Sequence, residues 1–155
     1  MTPACVELDR AGVAYTQHHY DHDPNAESYG LEAAEKLGVE PDVVFKTLMA
    51  ELDSGDLVVA IVPVAEMLNL KALARTFGTK KASMASVEAA ARSTGYVVGG
   101  ISPLGQRQPR PTAIDESAIL CETIFVSGGR RGLDIEVKPG ALITVLDAEI
   151  APLTR

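Results

Sequence analysis

Gly99-Gly100-Ile101-Ser102-Pro103-Leu104-Gly105 places three glycines and a proline within seven residues. No helix or strand interior tolerates that density, because glycine costs backbone entropy there and proline lacks an N–H donor. Such a run suits a place where main-chain N–H groups must approach another group closely. Arg92-Ser93-Thr94-Gly95-Tyr96 leads into it. About 25 residues later comes a second glycine-rich turn, Ser127-Gly128-Gly129-Arg130-Arg131-Gly132-Leu133-Asp134. Each follows a β-like run, so the two loops read as the walls of one backbone-lined pocket.

Around these loops, short strands and helices alternate. Thr2-Pro3 and Gly12 delimit a helix over Pro3–Ala11, and Val13–Tyr20 reads as a strand. Gly30–Leu37 is helical, with Gly38 as its stop and a Glu32–Lys36 pair on its outer face. Val43–Ala50 and Leu57–Val64 form strands joined at Asp53-Ser54-Gly55. Leu70–Phe77 is helical, and Ser86 caps a short helix over Val87–Arg92. Strands are expected over Thr112–Asp115, Thr123–Ser127, Asp134–Val137 and Leu142–Leu146. The order predicts an α/β or α+β fold with a mixed sheet, and 155 residues suffice for one domain over 1–155.

Composition narrows the class. Hydrophobic content of 46% with 23% charged residues is that of an ordinary soluble globule. No apolar run reaches membrane-spanning length, and Met1 is not followed by a basic-then-apolar leader, so a cytoplasmic protein is expected. Cys5 and Cys121 have no paired spacing and read as small apolar residues in a reducing compartment. The net charge of −7 is unevenly spread. Residues 1–66 carry 3 Lys/Arg against 13 Asp/Glu, whereas residues 67–131 carry 9 against 4. The basic segment is the one that holds both glycine loops. That segregation suits a polyanion-binding face, or equally a solvated surface with chance clustering.

Val43–Met49 is apolar on both strand faces, with Lys46 as its only charge. An ammonium among apolar neighbours needs a partner or a substrate, unless its stem simply carries it out to water. His18-His19-Tyr20-Asp21-His22-Asp23 resembles a metal site, but an extended strand separates His18 from His22 by roughly 13 Å. A solvated strand end fits better, with Tyr20 on the side of His18. Gly100-Ile101-Ser102-Pro103-Leu104 nearly matches a serine-hydrolase elbow, yet Pro103 has no N–H for an oxyanion hole. A phosphate-loop match fails too, since Gln106 stands where lysine is needed and Arg107 where a hydroxyl is needed. What remains is Lys46, glycine amides and the side chains of Tyr20, Thr47, Ser127 and Asp134. No nucleophile–base pair is visible, which suits cleavage of an already labile ester by placement and electrostatics.

Thr2-Pro3-Ala4, Tyr20-x-His22-Asp23-Pro24, Phe45-Lys46-Thr47-Leu48, Arg92 through Gly105, and Val126 through Glu136 resemble the YbaK-type aminoacyl-tRNA deacylases. The similarity runs nearly end to end. The resemblance implies a partly barrel-like mixed sheet flanked by short helices, similar to the editing insertion of bacterial prolyl-tRNA synthetases. It implies hydrolysis of misacylated tRNA, above all Cys-tRNA(Pro) and other Cys-tRNAs, through attack of the substrate's own thiol on its ester. A thiol-free Ala-tRNA(Pro) activity and a non-catalytic tRNA- or synthetase-binding module are the rival readings. Catalytic roles fall on Lys46, Gly99, Gly100 and Ile101. Substrate contacts fall on Tyr20, Tyr29, Thr47, Ser102, Pro103, Ser127, Gly128 and Asp134. Position 29 departs from the family, with tyrosine where phenylalanine is common. Lys80, Lys81, Arg92, Arg107, Arg130 and Arg131 are the candidates to meet tRNA, and prolyl-tRNA synthetase is a candidate partner. No cofactor, metal or membrane is expected.

Overall fold

The computed structural model describes all 155 residues. Helix α1 (Pro3–Ala11) starts where the Thr2 hydroxyl accepts the Cys5 N–H and stops at Gly12, whose φ of 69° needs no Cβ. Strand β1 (Tyr15–His19) follows, then α2 (Tyr29–Leu37), capped by Ser28 and closed by Gly38. Strands β2 (Phe45–Leu52) and β3 (Leu57–Pro63) form the expected hairpin. After α3 (Leu70–Thr76) come β4 (Ala82–Met84) and α4 (Val87–Thr94), capped by Ser86. The chain ends with β5 (Thr112–Asp115), β6 (Ile124–Arg130), β7 (Leu133–Val137), α5 (Pro139–Leu146) and β8 (Glu149–Ala151).

Two sheets result. One has the order β1-β7-β6, all antiparallel, and the other β4-β2-β3-β5-β8, with parallel β3–β5 and β5–β8 pairs. A parallel bridge from Val44 to Phe125 joins them at one corner. Phe45, Met49, Ile61 and Ile114 of the larger sheet pack against Ile124, Val126 and Ile135 of the smaller one, with Leu8, Leu104 and Leu142 closing the ends. Ala60 and Val62 turn the other way, onto Leu73 of α3. β3 is therefore buried on both faces, which explains its continuous apolar run. Ala33 and Ala34 of α2 cover the corner with Val44, Val64 and Phe125.

One expected strand is a helix. Leu142–Leu146 belongs to α5, which begins with Pro139 at its first turn and ends at Asp147 in the left-handed conformation. The β-branched Ile143, Thr144 and Val145 favour a strand locally. Packing of fully buried Leu142 into the main core overrides that preference. The three-residue strands β4 and β8 carry no local signal, since each exists only through pairing with a distant neighbour.

Candidate active site

The site is an interruption in the pairing of β2. The first residues of β2 lie beside β6 through the Val44–Phe125 bridge, and its last three pair with β4. Main-chain groups two residues apart face the same edge of a strand. The Met49 carbonyl accepts the Ala85 N–H on the β4 side, whereas the Val44 carbonyl accepts the Val64 N–H on the β3 side. Thr47 therefore turns its N–H and C=O toward the β4/β6 edge, at a point where neither strand reaches. Over this gap opens a cavity of about 380 Å³. Its walls come from β2, the starts of α2 and α4, the glycine loop, and the Ser127–Asp134 pair of the small sheet.

Lys46 and Thr47 form the polar part of the β2 wall, between Val44, Phe45, Leu48 and Met49. Burial pulls the Lys46 ammonium down from its ordinary range, and the charge of Glu66 partly offsets this. It makes no salt bridge. The Thr47 hydroxyl is the one buried side-chain polar atom without a hydrogen-bond partner. Successive strand residues point to opposite faces, so the two groups address the cavity from different sides of β2. The buried, unpaired Thr47 hydroxyl is costly in a folded chain and marks a group left open for a ligand.

Asp134 and Tyr20 stand in the opposite wall. Burial pushes the Asp134 carboxyl up to about 7, with His18 offsetting only part of the effect. Tyr20 is pushed up to about 12, by burial first and then by the charges of Asp134 and Glu32, so its phenol remains protonated. The Asp134 shift has a consequence for stability. Below its unfolded value near 3.8 the acid is neutral in both states. As pH rises toward 7 the unfolded chain ionises first, and the fold loses the stability it held at low pH. Asp134→Asn should therefore gain a few kcal/mol, on the order of 2–4, at pH 8 and almost nothing at pH 4. Urea unfolding at both pH values checks this, and a larger gain at pH 4 would refute it.

The glycine loop contributes selectively. Gly99 (φ 85°) and Ile101 line the cavity, whereas Gly100, Ser102 and Pro103 do not. The Gly100 N–H is engaged by the Val97 carbonyl at 2.9 Å. Ser102 is fully buried, and its hydroxyl accepts the Leu104 N–H. Gly128 also lies outside the lining, packed on Leu133, with its carbonyl accepting the Thr2 hydroxyl. The second loop is a bulged hairpin, irregular between Ser127 and Arg130, which leans on the first. A Cβ on Gly100 would lie 2.8 Å from Arg130 Cα. Helix α1 supports both loops, as Glu7 accepts the Gly105 N–H at 2.8 Å.

The basic residues are carried by several elements. Arg131 reaches Tyr29 at the cavity, and Arg130 lies beside His19. Arg107 packs against Gly95, Arg92 ends α4, and Lys80–Lys81 precede β4 near Asp53. His19 is exposed, but His18 and His22 are less solvated than a bare strand end. His18 pairs with Glu136 at 2.9 Å and His22 with Glu32 at 2.8 Å, so they turn to different carboxylates. Sequence reading missed Val64, Met84, Val87 and Ala90, which form the apolar side of the cavity and carry no local mark of doing so. No histidine or cysteine lines it.

Comparison with known proteins identifies the family. The family model of the aminoacyl-tRNA editing domain matches residues 23–145. A relative from Enterococcus faecalis, which carries the provisional name Cys-tRNA(Pro)/Cys-tRNA(Cys) deacylase EbsC, is 38% identical over 157 aligned positions. The match covers 99% of this chain and 93% of that relative. A proline–tRNA ligase from Maridesulfovibrio salexigens is 36% identical over 107 residues, which are 69% of this chain and 18% of the ligase. A solved structure described provisionally as a trans-editing enzyme for prolyl tRNA synthetase has a TM-score of 0.83 at 22% identity. It covers 100% of this chain and 99% of its own, a likeness of fold. The chain belongs to the aminoacyl-tRNA editing domain family, whose reaction is the deacylation of misacylated tRNA.

Proposed function

We propose that residues 1–155 act as one deacylase domain that clears cysteine from Cys-tRNA(Pro) and other Cys-tRNAs. The observation that carries this is the unpaired Lys46 ammonium in a cavity with the free edge of Thr47 and the Gly99 segment, and with no histidine or cysteine to activate a nucleophile. Such a site stabilises charge at an acyl carbonyl and leaves the attacking group to the substrate. The cysteine sulfur attacks its own ester carbon, forming a C–S bond. The bond to the ribose oxygen then breaks, that oxygen takes the thiol proton, and a thiolactone leaves. Lys46 and the loop amides face the carbonyl oxygen as it becomes anionic. Tyr20, Thr47, Ser127 and Asp134 hold the aminoacyl group, with Tyr29 at the mouth.

In this reading charged tRNA is met in the cytoplasm. Arg92, Arg107, Arg130 and the Lys80–Lys81 pair supply sequence-independent attraction to the acceptor end. A separate synthetase, prolyl-tRNA synthetase by the kinship with its editing segment, supplies tRNA choice. The apolar wall of Met84, Val87 and Val64 also accommodates a thiol-free alanyl group, which is the second reading. Single-turnover deacylation of Cys-, Ala- and Ser-tRNA separates them. Cleavage of Cys-tRNA at least tenfold faster than the others supports thiol assistance, equal rates on all three exclude it, and binding without release of any amino acid excludes catalysis.

A further inference from the structure

We infer that Arg131 is a positioning residue for the Gly99 amide rather than a contact for RNA phosphate. The inference rests on the deacylase reading and goes beyond it. Arg131 is exposed and lies in the basic segment, so its charge alone suggests polyanion binding. Its contacts point elsewhere. The guanidinium Nε donates to the Val98 carbonyl at 2.9 Å, and its central carbon sits 5.0 Å from the centre of the Tyr29 ring.

Val98 C=O and Gly99 N–H belong to the same peptide unit. In a planar trans peptide these two groups point in opposite directions, and this chain has no cis bond. Fixing the carbonyl toward Arg131 therefore fixes the Gly99 N–H away from it. Gly99 itself lines the cavity. A charged donor on the carbonyl also polarises the peptide and strengthens its N–H as a donor. Tyr29 completes the arrangement. A Cβ on Gly99 would fall 2.8 Å from the Tyr29 ring, so ring and glycine are in direct contact.

The ring is fixed from its other surroundings as well. His22 lies 5.6 Å from it, centre to centre, and His22 Nδ1 pairs with Glu32 at 2.8 Å. Glu32 is 7% exposed and also accepts the Asp23 N–H at 2.6 Å. Burial alone would raise its pKa, but the Asp23 N–H, His22 and Lys36 together hold it below the usual range. Three segments distant in sequence (residues 22–32, 98–99 and 131) are thus locked together at the mouth of the cavity. Arg131 is the member that joins the catalytic loop to the other two.

The test separates kcat from KM for the charged tRNA that the wild type cleaves fastest. Arg131→Ala should lower kcat by roughly tenfold to a hundredfold, the range for a slightly misplaced catalytic donor, with KM within twofold. Arg131→Lys should recover part of the loss, because an ammonium reaches either the carbonyl or the ring but lacks the rigid fork that serves both. Tyr29→Leu should lower kcat similarly, and the double variant should be no worse than the poorer single one. In a 15N-labelled sample the Gly99 amide proton should shift in Arg131→Ala while amides of α3 stay in place, a readout independent of activity. The inference fails if Arg131→Ala raises KM, lowers the salt dependence of uncharged-tRNA binding by about one unit of slope and spares kcat, since that marks a phosphate contact. It also fails if Arg131→Ala matches the wild type throughout. A wild type inert on every charged tRNA overturns the deacylase reading, and an unmoved Gly99 resonance then still overturns this one.

Discussion

Lys46→Ala should lower single-turnover deacylation of Cys-tRNA(Pro) by about 10²–10³-fold, the range for loss of one preorganised group that stabilises a developing oxyanion. Two features of the structure set this size. The ammonium has no salt-bridge partner to mask it, and burial already weakens its hold on the proton. A group in that state gains most when negative charge appears opposite it, so its contribution lies in the transition state. Stability should move in the other direction. The folded state disfavours the charged lysine, so at neutral pH the alanine or methionine variant should unfold at equal or higher urea concentration than the parent. A well-folded Lys46→Ala retaining near-normal rates would remove Lys46 from the mechanism.

Gly100→Ala should damage both fold and activity. Its Cβ would lie 2.8 Å from Arg130 Cα and 3.0 Å from both Arg130 C and Arg131 N. These are main-chain atoms of the opposing hairpin and cannot rotate aside as a side chain would. Forcing them apart costs about 1–3 kcal/mol, as overpacking of a filled interior does. The hairpin carries Ser127, Asp134 and Arg131, so the same displacement should reduce deacylation by about a hundredfold. Gly140→Ala is the matched control. A Cβ there meets nothing within 4 Å, and the residue lies in α5, so a gain of about 0.5–1 kcal/mol is expected. Thermal unfolding and single-turnover rates on both variants decide the point, and a stable, active Gly100→Ala would show that the loops do not depend on their contact.

Much of the fold could be read from short-range chemistry. Thr2 and Gly12, Gly38, and Ser86 mark helix ends by hydrogen bonds and dihedral freedom within a few residues, whereas the Ser28 cap that starts α2 at Tyr29 escaped the sequence reading. Two short apolar runs separated by Asp53-Ser54-Gly55 exposed the β2–β3 hairpin. The reading failed where distant packing outweighed local preference. Ile143-Thr144-Val145 suggested a strand until Leu142 entered the core as part of a helix. β4 and β8, three residues each, have no identity apart from the strands they pair with.

Sequence alone determined the chemical inventory of the site: one charge inside an apolar strand, two glycine-rich segments, and no activated nucleophile beside them. Those follow from composition and from periodicities spanning only a few residues. Tertiary structure decided which members meet. It turned Gly99 toward the cavity and Gly100 toward the hairpin, left Thr47 on an uncovered edge, and bound Arg131 to Val98 and Tyr29. The physical reason is that the cavity is a break in strand pairing. Which edge lies bare depends on partners up to about 80 residues away, β6 on one side and β4 on the other, and no local pattern records where they stop.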